Sequence, residues 1–297
     1  ISQLANVSSF LQQTTAAAER VFEFLDREEE IPDSQNGLMI GDNNSNLDQY
    51  IKIEGNVQFD HVGFGYTSEK TVIKDFSADV KSGQKIAIVG PTGSGKTTMV
   101  KLLMRFYDVN SGAILIDGHN IKDFKRNDLR SILGMVLQDT WLYNASIMDN
   151  IRYGNLKATD EEVYGAAKTA QVDHFVRTLA DGYKTLINEE SSNISQGQKQ
   201  LLTIARAILA DPKILILDEA TSSVDTRTEI LIQRAMDNLM QNRTSFVIAH
   251  RLSTIRNADW ILVMKDGDII EQGNHDQLID KNGFYCELYN SQFETYD

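Results

Sequence analysis

The stretch that decides the fold is Gly90-Pro91-Thr92-Gly93-Ser94-Gly95-Lys96-Thr97. It fits the pattern G-x-x-x-x-G-K-[ST], in which glycines let the backbone curl so that successive N–H groups point at phosphate oxygens. A β-branched run, Lys85–Val89, precedes it, and helical spacing follows over Thr97–Phe106. The positive N-terminal end of that helix adds to the same site. The pattern therefore predicts a phosphate-binding loop, with Lys96 reaching the β- and γ-phosphates and the Thr97 hydroxyl ligating Mg²⁺.

A second stretch with chemical content is the apolar run Ile214–Leu217, which is followed by Asp218 and Glu219. Four apolar residues indicate a buried strand, and open α/β sheets bind their ligands at the C-terminal ends of such strands. We expect Asp218 to hold Mg²⁺, directly or through water. Glu219 is then placed to orient and polarise the attacking water as a general base. An Asp-Glu pair is weak evidence alone, but downstream of a phosphate loop it indicates nucleotide hydrolysis.

The rest of the chain outlines a layered fold. Ser146–Ala210 has mostly helical spacing, and the apolar runs Thr244–Ala249 and Trp260–Met264 are typical of strands separated by helices. This alternation predicts a sheet with helices on both faces. Thr71–Val80 predicts another strand before the phosphate loop. Further upstream, a pair of short edge strands is predicted by Val57, Phe59, Val62 and Phe64.

The first 50 residues have a different texture. A helical stripe at alternating spacings of three and four is formed by Leu4, Val7, Leu11, Thr14, Ala18, Val21 and Leu25. It indicates either an amphipathic helix that packs on its own domain or a helix that descends from a part of the protein outside this sequence. Asp26–Asn46 is acidic and rich in Asn, Asp and Ser, which is typical of a linker. The first residue, Ile1, is not Met, so we expect a piece of a longer protein.

Composition excludes several classes of protein. The net charge of −13 argues against nucleic-acid binding, which usually needs a basic face. No run approaches the roughly 18 apolar residues that a membrane span needs, and Ile1–Arg20 has no signal-peptide pattern. Cys286 is the single cysteine, so no intrachain disulfide can form, and a reducing cytosolic setting fits.

A third stretch of sequence points to one particular protein family. It reads Asn193-Ile194-Ser195-Gln196-Gly197-Gln198-Lys199-Gln200, shortly before the Asp218 strand, and closely resembles the LSGGQ signature of ABC ATPases. The resemblance covers nearly all of Ile51–Asp297, with its motifs in the family's order. Four more positions match the family's pattern. Tyr66 matches the aromatic residue that stacks on adenine, and Gln138 matches the glutamine that senses Mg²⁺ and the transport domain. Ser222-Ser223-Val224-Asp225 matches the loop that crosses the dimer interface, and His250 matches the switch histidine at the γ-phosphate.

The resemblance implies a fold and a set of site residues. The fold is α/β, a P-loop NTPase (RecA-like) core with an antiparallel β subdomain and an α-helical signature subdomain at roughly 139–210. The ATPase domain is expected over 51–297, after a helix tail and linker in 1–50. Catalytic roles are expected for Lys96, Gln138, Glu219 and His250, and metal ligation for Thr97, Gln138 and Asp218. ATP contacts are expected from Tyr66, Gly90, Pro91, Thr92, Gly93, Ser94, Gly95, Lys96, Thr97, Thr98, Ser195, Gly197 and Gln198.

The resemblance also implies partners. Two such domains would stack head to tail with two ATP molecules between them, each held by the phosphate loop of one chain and the signature of the other. Thr15–Asp26 resembles the tail that joins the last membrane helix of an exporter to its ATPase. We therefore expect an ATP- and Mg²⁺-dependent motor at the cytoplasmic face of the cell membrane, with its membrane domain outside this sequence and no nucleic-acid partner.

One departure bears on the choice of partner. The family pattern has glycine where this chain has Gln196, and a side chain there limits how closely the backbone approaches phosphate. The departure is either tolerated variation or the mark of an asymmetric heterodimer, which we prefer over a homodimer. Three other functions remain open at this stage: an importer ATPase, a nucleotide-gated regulatory domain with little turnover, and a soluble ABC protein acting on ribosomes or DNA repair intermediates.

Overall fold

The structure is a computed structural model. It describes residues 2–27, 29–33, 37–41, 50–137, 140–188, 193–218, 224–249 and 251–293. The chain divides into two compact units, Ile1–Gln35 and Asn36–Asp297. The domain boundary between residues 50 and 51 and the limits of the signature subdomain stay predictions.

The first unit contains one long helix, α1, which covers Ser2–Leu25. This range confirms the helical spacing read from the sequence. The Thr14 and Thr15 hydroxyls donate to the carbonyls of Phe10 and Leu11, at 2.8 and 2.9 Å, which is the usual way for such residues to sit inside a helix. None of the described helices combines the length and the apolar character needed to cross a bilayer.

The second unit is built on a large sheet. Over the described residues, ten strands follow the order β7-β6-β3-β4-β12-β11-β5-β10-β9-β8, and β1 and β2 form a small separate pair. The strands are β1 Met39–Ile40, β2 Tyr50–Ile51, β3 Val57–Phe64, β4 Ile73–Val80, β5 Lys85–Val89, β6 Ser111–Ile116, β7 His119–Asn120, β8 Leu133–Val136, β9 Ile214–Asp218, β10 Thr244–Ile248, β11 Trp260–Lys265 and β12 Asp268–Gly273.

Helices contribute to the two apolar clusters of this unit. One cluster joins strand residues to the helices of the middle and C-terminal parts of the chain. The other joins residues of the antiparallel strands and of the parallel strands to α2 and α3. The helices are α2 Lys96–Leu103, α3 Arg126–Ser131, α4 Ile147–Arg152, α5 Asp160–Thr169, α6 Asp173–Thr178, α7 Gln196–Ala210, α8 Thr226–Met240, α9 Leu252–Arg256, α10 His275–Asp280 and α11 Phe284–Phe293. The predicted α/β class is confirmed.

The parallel half of the sheet, β8-β9-β10-β5-β11, positions the site. Its strands are almost continuously apolar and buried, as expected when helices cover both faces. In register, Asp218 of β9 pairs with Ile248 of β10, which lies beside Ile88 of β5. The ends of β9 and β5 therefore reach the same edge, the place where such sheets bind ligands.

The antiparallel half corrects one prediction. Val57–Phe64 is not a pair of short edge strands but one strand, β3, inside the sheet between β4 and β6. His61 adopts a left-handed conformation (φ 47°), and the pairing with both neighbours shifts near it. This bulge breaks the two-residue alternation, so a single strand has the pattern of two.

Candidate nucleotide site

The phosphate loop is a tight turn between β5 and α2 that depends on its glycines. Gly90 and Gly95 have φ angles of 151° and 107°, which residues with a side chain rarely adopt. A Cβ on Gly90 would lie 2.2 Å from the carbonyl oxygen of Met264, and one on Gly95 would lie 2.6 Å from Cδ1 of Ile73. One side of the loop is thus in close contact with neighbouring elements.

Lys96 curls back over the loop. Its Nζ donates hydrogen bonds to the carbonyls of Gly90 and Pro91, at 2.7 and 3.0 Å. Burial lowers the pKa of the Lys96 ammonium, and the nearby Asp218 carboxylate opposes that shift. The lysine and the carboxylate at the end of β9 are therefore close enough to interact, and both line one cavity.

A cavity of about 410 Å³ opens beside these groups. Among its described lining residues are Val72, Thr92, Gly93, Gly95, Lys96, Thr97, Thr98, Asp218 and Ile248. The Thr97 hydroxyl and the Asp218 carboxylate are hard oxygen donors, the ligand type that Mg²⁺ prefers. Within the described part of the chain, the Ser94 hydroxyl is buried and has no hydrogen-bond partner. The donor set thus fits a phosphate group with a magnesium ion.

Tyr66, which the resemblance predicts to stack on adenine, lies in an aromatic group. Its hydroxyl lies 3.2 Å from the Thr98 hydroxyl, and its ring packs edge-to-face on Phe64 and Tyr107 with centroids 5.0 and 5.1 Å apart. The ammonium of Lys101 lies 5.7 Å from the ring centroid. Tyr66 is 46% exposed, so its ring remains accessible to a base. Sequence reasoning missed Tyr107, because no motif marks an aromatic residue after α2.

The signature stretch forms the beginning of α7. Ser195 and Gln198 make a capping box: Gln198 N–H donates to the Ser195 hydroxyl at 3.3 Å, and Ser195 N–H donates to the Gln198 side chain at 2.8 Å. The pattern S-x-x-Q in the sequence would have revealed this box. Among the described residues lining the 410 Å³ cavity, none belongs to Ser195–Gln198.

The two central residues of the signature point to different neighbours. A Cβ on Gly197 would lie 2.4 Å from Cγ2 of Thr228, so this buried glycine lets α7 approach α8 closely. Gln196 is exposed, and its side-chain amide donates to the Thr140 hydroxyl at 3.3 Å. The glutamine is accommodated because it lies on the surface.

Several predicted residues cannot be placed. Gln138, Glu219 and His250 lie outside the described residues, as do Ser222 and Ser223. The end of the predicted interface loop is described: the Asp225 carboxylate caps α8 by accepting hydrogen bonds from the N–H groups of Arg227 and Thr228, at 3.1 and 3.0 Å. These roles stay predictions.

Comparison with known families agrees with this geometry. The family model described as "ABC transporter" matches residues 73–222, which contain the phosphate loop, the signature and Asp218. The chain belongs to the ABC transporter family.

Relatives of this ABC transporter domain include a Mycobacterium bovis protein named "Fatty acid ABC transporter ATP-binding/permease protein". It is 53% identical over 97% of this chain and 44% of its own length. An "ATP-dependent lipid A-core flippase" of Desulfotalea psychrophila is 44% identical over 98% of this chain and 49% of its own length.

A solved structure, described as a bacterial Atm1-family ABC exporter with ATP bound, superposes with a TM-score of 0.82 at 39% identity. It covers 95% of this chain and 48% of the exporter's chain. The ABC domain thus spans about half the length of the relatives it matches.

Proposed function

We propose that this chain binds ATP at the Gly90–Thr97 loop and hydrolyses it to power export by a membrane transporter. The observation that carries the proposal is the convergence of Lys96, Thr97 and Asp218 on one cavity at the C-terminal edge of the parallel strands. Phosphate-binding donors and metal-binding oxygens at this edge are what phosphoryl transfer requires.

The roles follow from position and chemistry. The loop N–H groups and Lys96 bind the phosphates, and Tyr66 stacks on the base. Thr97 and Asp218, joined by Gln138, would hold Mg²⁺, which when bound neutralises charge on the phosphates. Glu219 accepts the proton of the attacking water, and His250 contacts the γ-phosphate; both roles are carried over from the family's pattern.

A second chain completes the site. We propose that Ser195, Gly197 and Gln198 of a partner domain face the γ-phosphate, because none of them is among the described residues that line the cavity at their own chain's phosphate loop. The relatives' names combine ATP-binding with permease, which supports a membrane domain as the other partner. The motor then works at the cytoplasmic face of the cell membrane. The side chain of Gln196 favours a heterodimer, in which this chain supplies the competent catalytic half.

The first test is Mg²⁺-dependent ATP turnover by this chain, compared with Glu219→Gln and Lys96→Ala. Loss of a general base lowers turnover by about 10²- to 10⁴-fold. We expect Glu219→Gln to lose turnover and keep ATP binding, and Lys96→Ala to lose both. Undiminished turnover in Lys96→Ala would contradict the proposed site.

The second test addresses the partner. Light scattering on Glu219→Gln with ATP and Mg²⁺ measures whether the mass doubles from the 33.4 kDa of one chain. A monomer that binds ATP supports a heterodimer, and a stable dimer supports a homodimer. Lys96→Ala serves as the control, because a chain that does not bind ATP cannot form an ATP-bridged dimer.

A further inference from the structure

A second, smaller cavity touches the phosphate loop. Its volume is about 130 Å³, and loop residues and the C-terminal helix α11 face each other across it. We call it the helix-side cavity; its described lining residues are Val89, Gly90, Pro91, Thr92, Lys96, Ala249, Ile255, Tyr285, Leu288 and Tyr289. The three α11 residues follow the spacing i, i+3, i+4, which places them on one face of the helix.

The start of α11 is tied to the sheet. Glu271 of β12 accepts hydrogen bonds from the N–H groups of Phe284 and Tyr285, at 2.7 and 3.0 Å, and so caps the helix with a carboxylate. A Cβ on Gly283 would lie 2.2 Å from this carboxylate, so a side chain there would require the Glu271 carboxylate to move. The Lys265 ammonium lies 4.6 Å from the centroid of the Phe284 ring. These contacts hold α11 in one position.

A second set of contacts holds the face of α11 that lines the cavity. The Tyr285 side chain is 2% exposed, and its hydroxyl lies 2.7 Å from Nδ1 of His275 on α10. The His275 ring also packs on Tyr289, with centroids 5.2 Å apart. The ring centroids of Tyr285 and Tyr289 are 6.1 Å apart. The tyrosines are therefore fixed by α10 before any nucleotide binds.

The phosphate loop has tight packing in one direction and space in another. Gly90 and Gly95 are so close to Met264 and Ile73 that no Cβ fits, whereas Pro91 and Thr92 border the helix-side cavity. A void leaves its lining atoms without dispersion partners, and a segment beside it has room to move. The side chains across the cavity from Pro91 and Thr92 are those of Tyr285, Leu288 and Tyr289.

We propose that Leu288 and Tyr289 of α11 are positioning residues for the phosphate loop, and that α11 thereby raises the affinity for ATP without contacting the nucleotide. The inference rests on the proposed ATP site. ATP needs the loop in one conformation, and the apparent Kd increases in proportion as the competent fraction falls. Trimming α11 side chains enlarges the space open to the loop and lowers that fraction.

The experiment measures the ATP Kd by calorimetry and the melting temperature without nucleotide, in the full chain. We expect Tyr289→Ala to raise the Kd by about three- to tenfold. Tyr289→Phe, which keeps the ring, should bind like the unmutated chain. Leu288→Phe, which adds atoms at the cavity, should bind ATP at least as tightly. Glu271→Ala, which removes the α11 cap, should weaken binding in the same direction as Tyr289→Ala.

Tyr164→Ala is the matched control. Tyr164 lies on α5 and packs on Tyr183 with centroids 4.7 Å apart, so the substitution removes a similar ring–ring contact elsewhere. We expect it to lower the melting temperature and leave the ATP Kd unchanged. Equal Kd increases in Tyr164→Ala and Tyr289→Ala would overturn the inference, because general loosening would explain both. So would an unchanged Kd in Tyr289→Ala. An unmutated chain that binds no ATP would overturn the proposed function itself.

Discussion

Two helices of this domain begin at the places proposed for phosphate, and they begin differently. At the start of α2, Gly95 has a φ of 107°, and no described side chain caps the helix. At the start of α7, Ser195 has extended backbone angles and closes a capping box with Gln198. The start of α2 leaves its N-terminal N–H groups free for a ligand, whereas the capping box at the start of α7 satisfies some of that helix's N-terminal N–H groups.

The difference indicates that the two helix termini would bind phosphate in different ways in the proposed dimer. The uncapped α2 leaves the N–H groups of its first turn available to an anion, so it is suited to hold phosphate throughout the cycle. The α7 terminus is stable by itself and can meet or leave a γ-phosphate without unfolding. The uncapped start of α2 would suit a permanent contact with nucleotide, and the capped start of α7 would suit a contact that forms and breaks.

The largest effect is expected from Gly95→Ala. The new Cβ would lie 2.6 Å from Cδ1 of Ile73, which is fully buried, and the positive φ adds strain. We expect a loss of about 3 kcal/mol in the free energy of unfolding, and loss of ATP binding, measured by denaturant titration and calorimetry.

Gly118→Ala is its control. Gly118 has a φ of 82°, and no atom of the described residues lies within 4 Å of the added Cβ, so backbone strain is the effect expected there. A loss of about 1 kcal/mol with normal ATP binding is expected. Equal losses at both positions would mean that packing against Ile73 does not hold the α2 terminus.

The next effect concerns the other helix. In Gly197→Ala, the added Cβ would lie 2.4 and 2.9 Å from the side chains of Thr228 and Val224, forcing α7 away from α8. Overpacking of this kind costs about 1–3 kcal/mol. Gly165→Ala, in an exposed position of α5 where no atom of the described part of the chain lies within 4 Å of the added Cβ, should instead stabilise the domain by about 0.5–1 kcal/mol. The two alanines should therefore shift the urea midpoint in opposite directions; shifts of the same sign would contradict the packing role of Gly197.

The sequence predicted those features that contiguous residues encode. The phosphate loop, the strands on either side of it and the helical character of Ser146–Ala210 each depend on local spacing, and the α/β fold followed from their alternation. The family resemblance supplied the order of motifs. The S-x-x-Q pattern that starts at Ser195 also indicates the capping box of α7, although the sequence-based prediction did not include it.

What the sequence did not predict depends on residues far apart in the chain. The single strand Val57–Phe64 was mistaken for two because the bulge at His61 arises against Gly112 of β6, whose Cβ would lie 2.2 Å from the His61 carbonyl oxygen. Tyr107 reaches Tyr66 only through the fold. The placement of α11 against the loop joins residues that no motif connects.

The smallest effect on stability, and the most informative about the comparison, is expected from Ser195→Ala. Loss of an N-cap costs about 1 kcal/mol, and the same cost is expected for Thr159→Ala, which removes the capping box that Thr159 forms with Glu162 on α5. If the α7 terminus also serves a partner's γ-phosphate, only Ser195→Ala should lower the ATP turnover of the assembled dimer, by several-fold, while Thr159→Ala leaves turnover unchanged. Equal turnover in both variants would show that Ser195 is a helix cap alone, and the switchable contact would then depend on the Gln196 and Gly197 backbone.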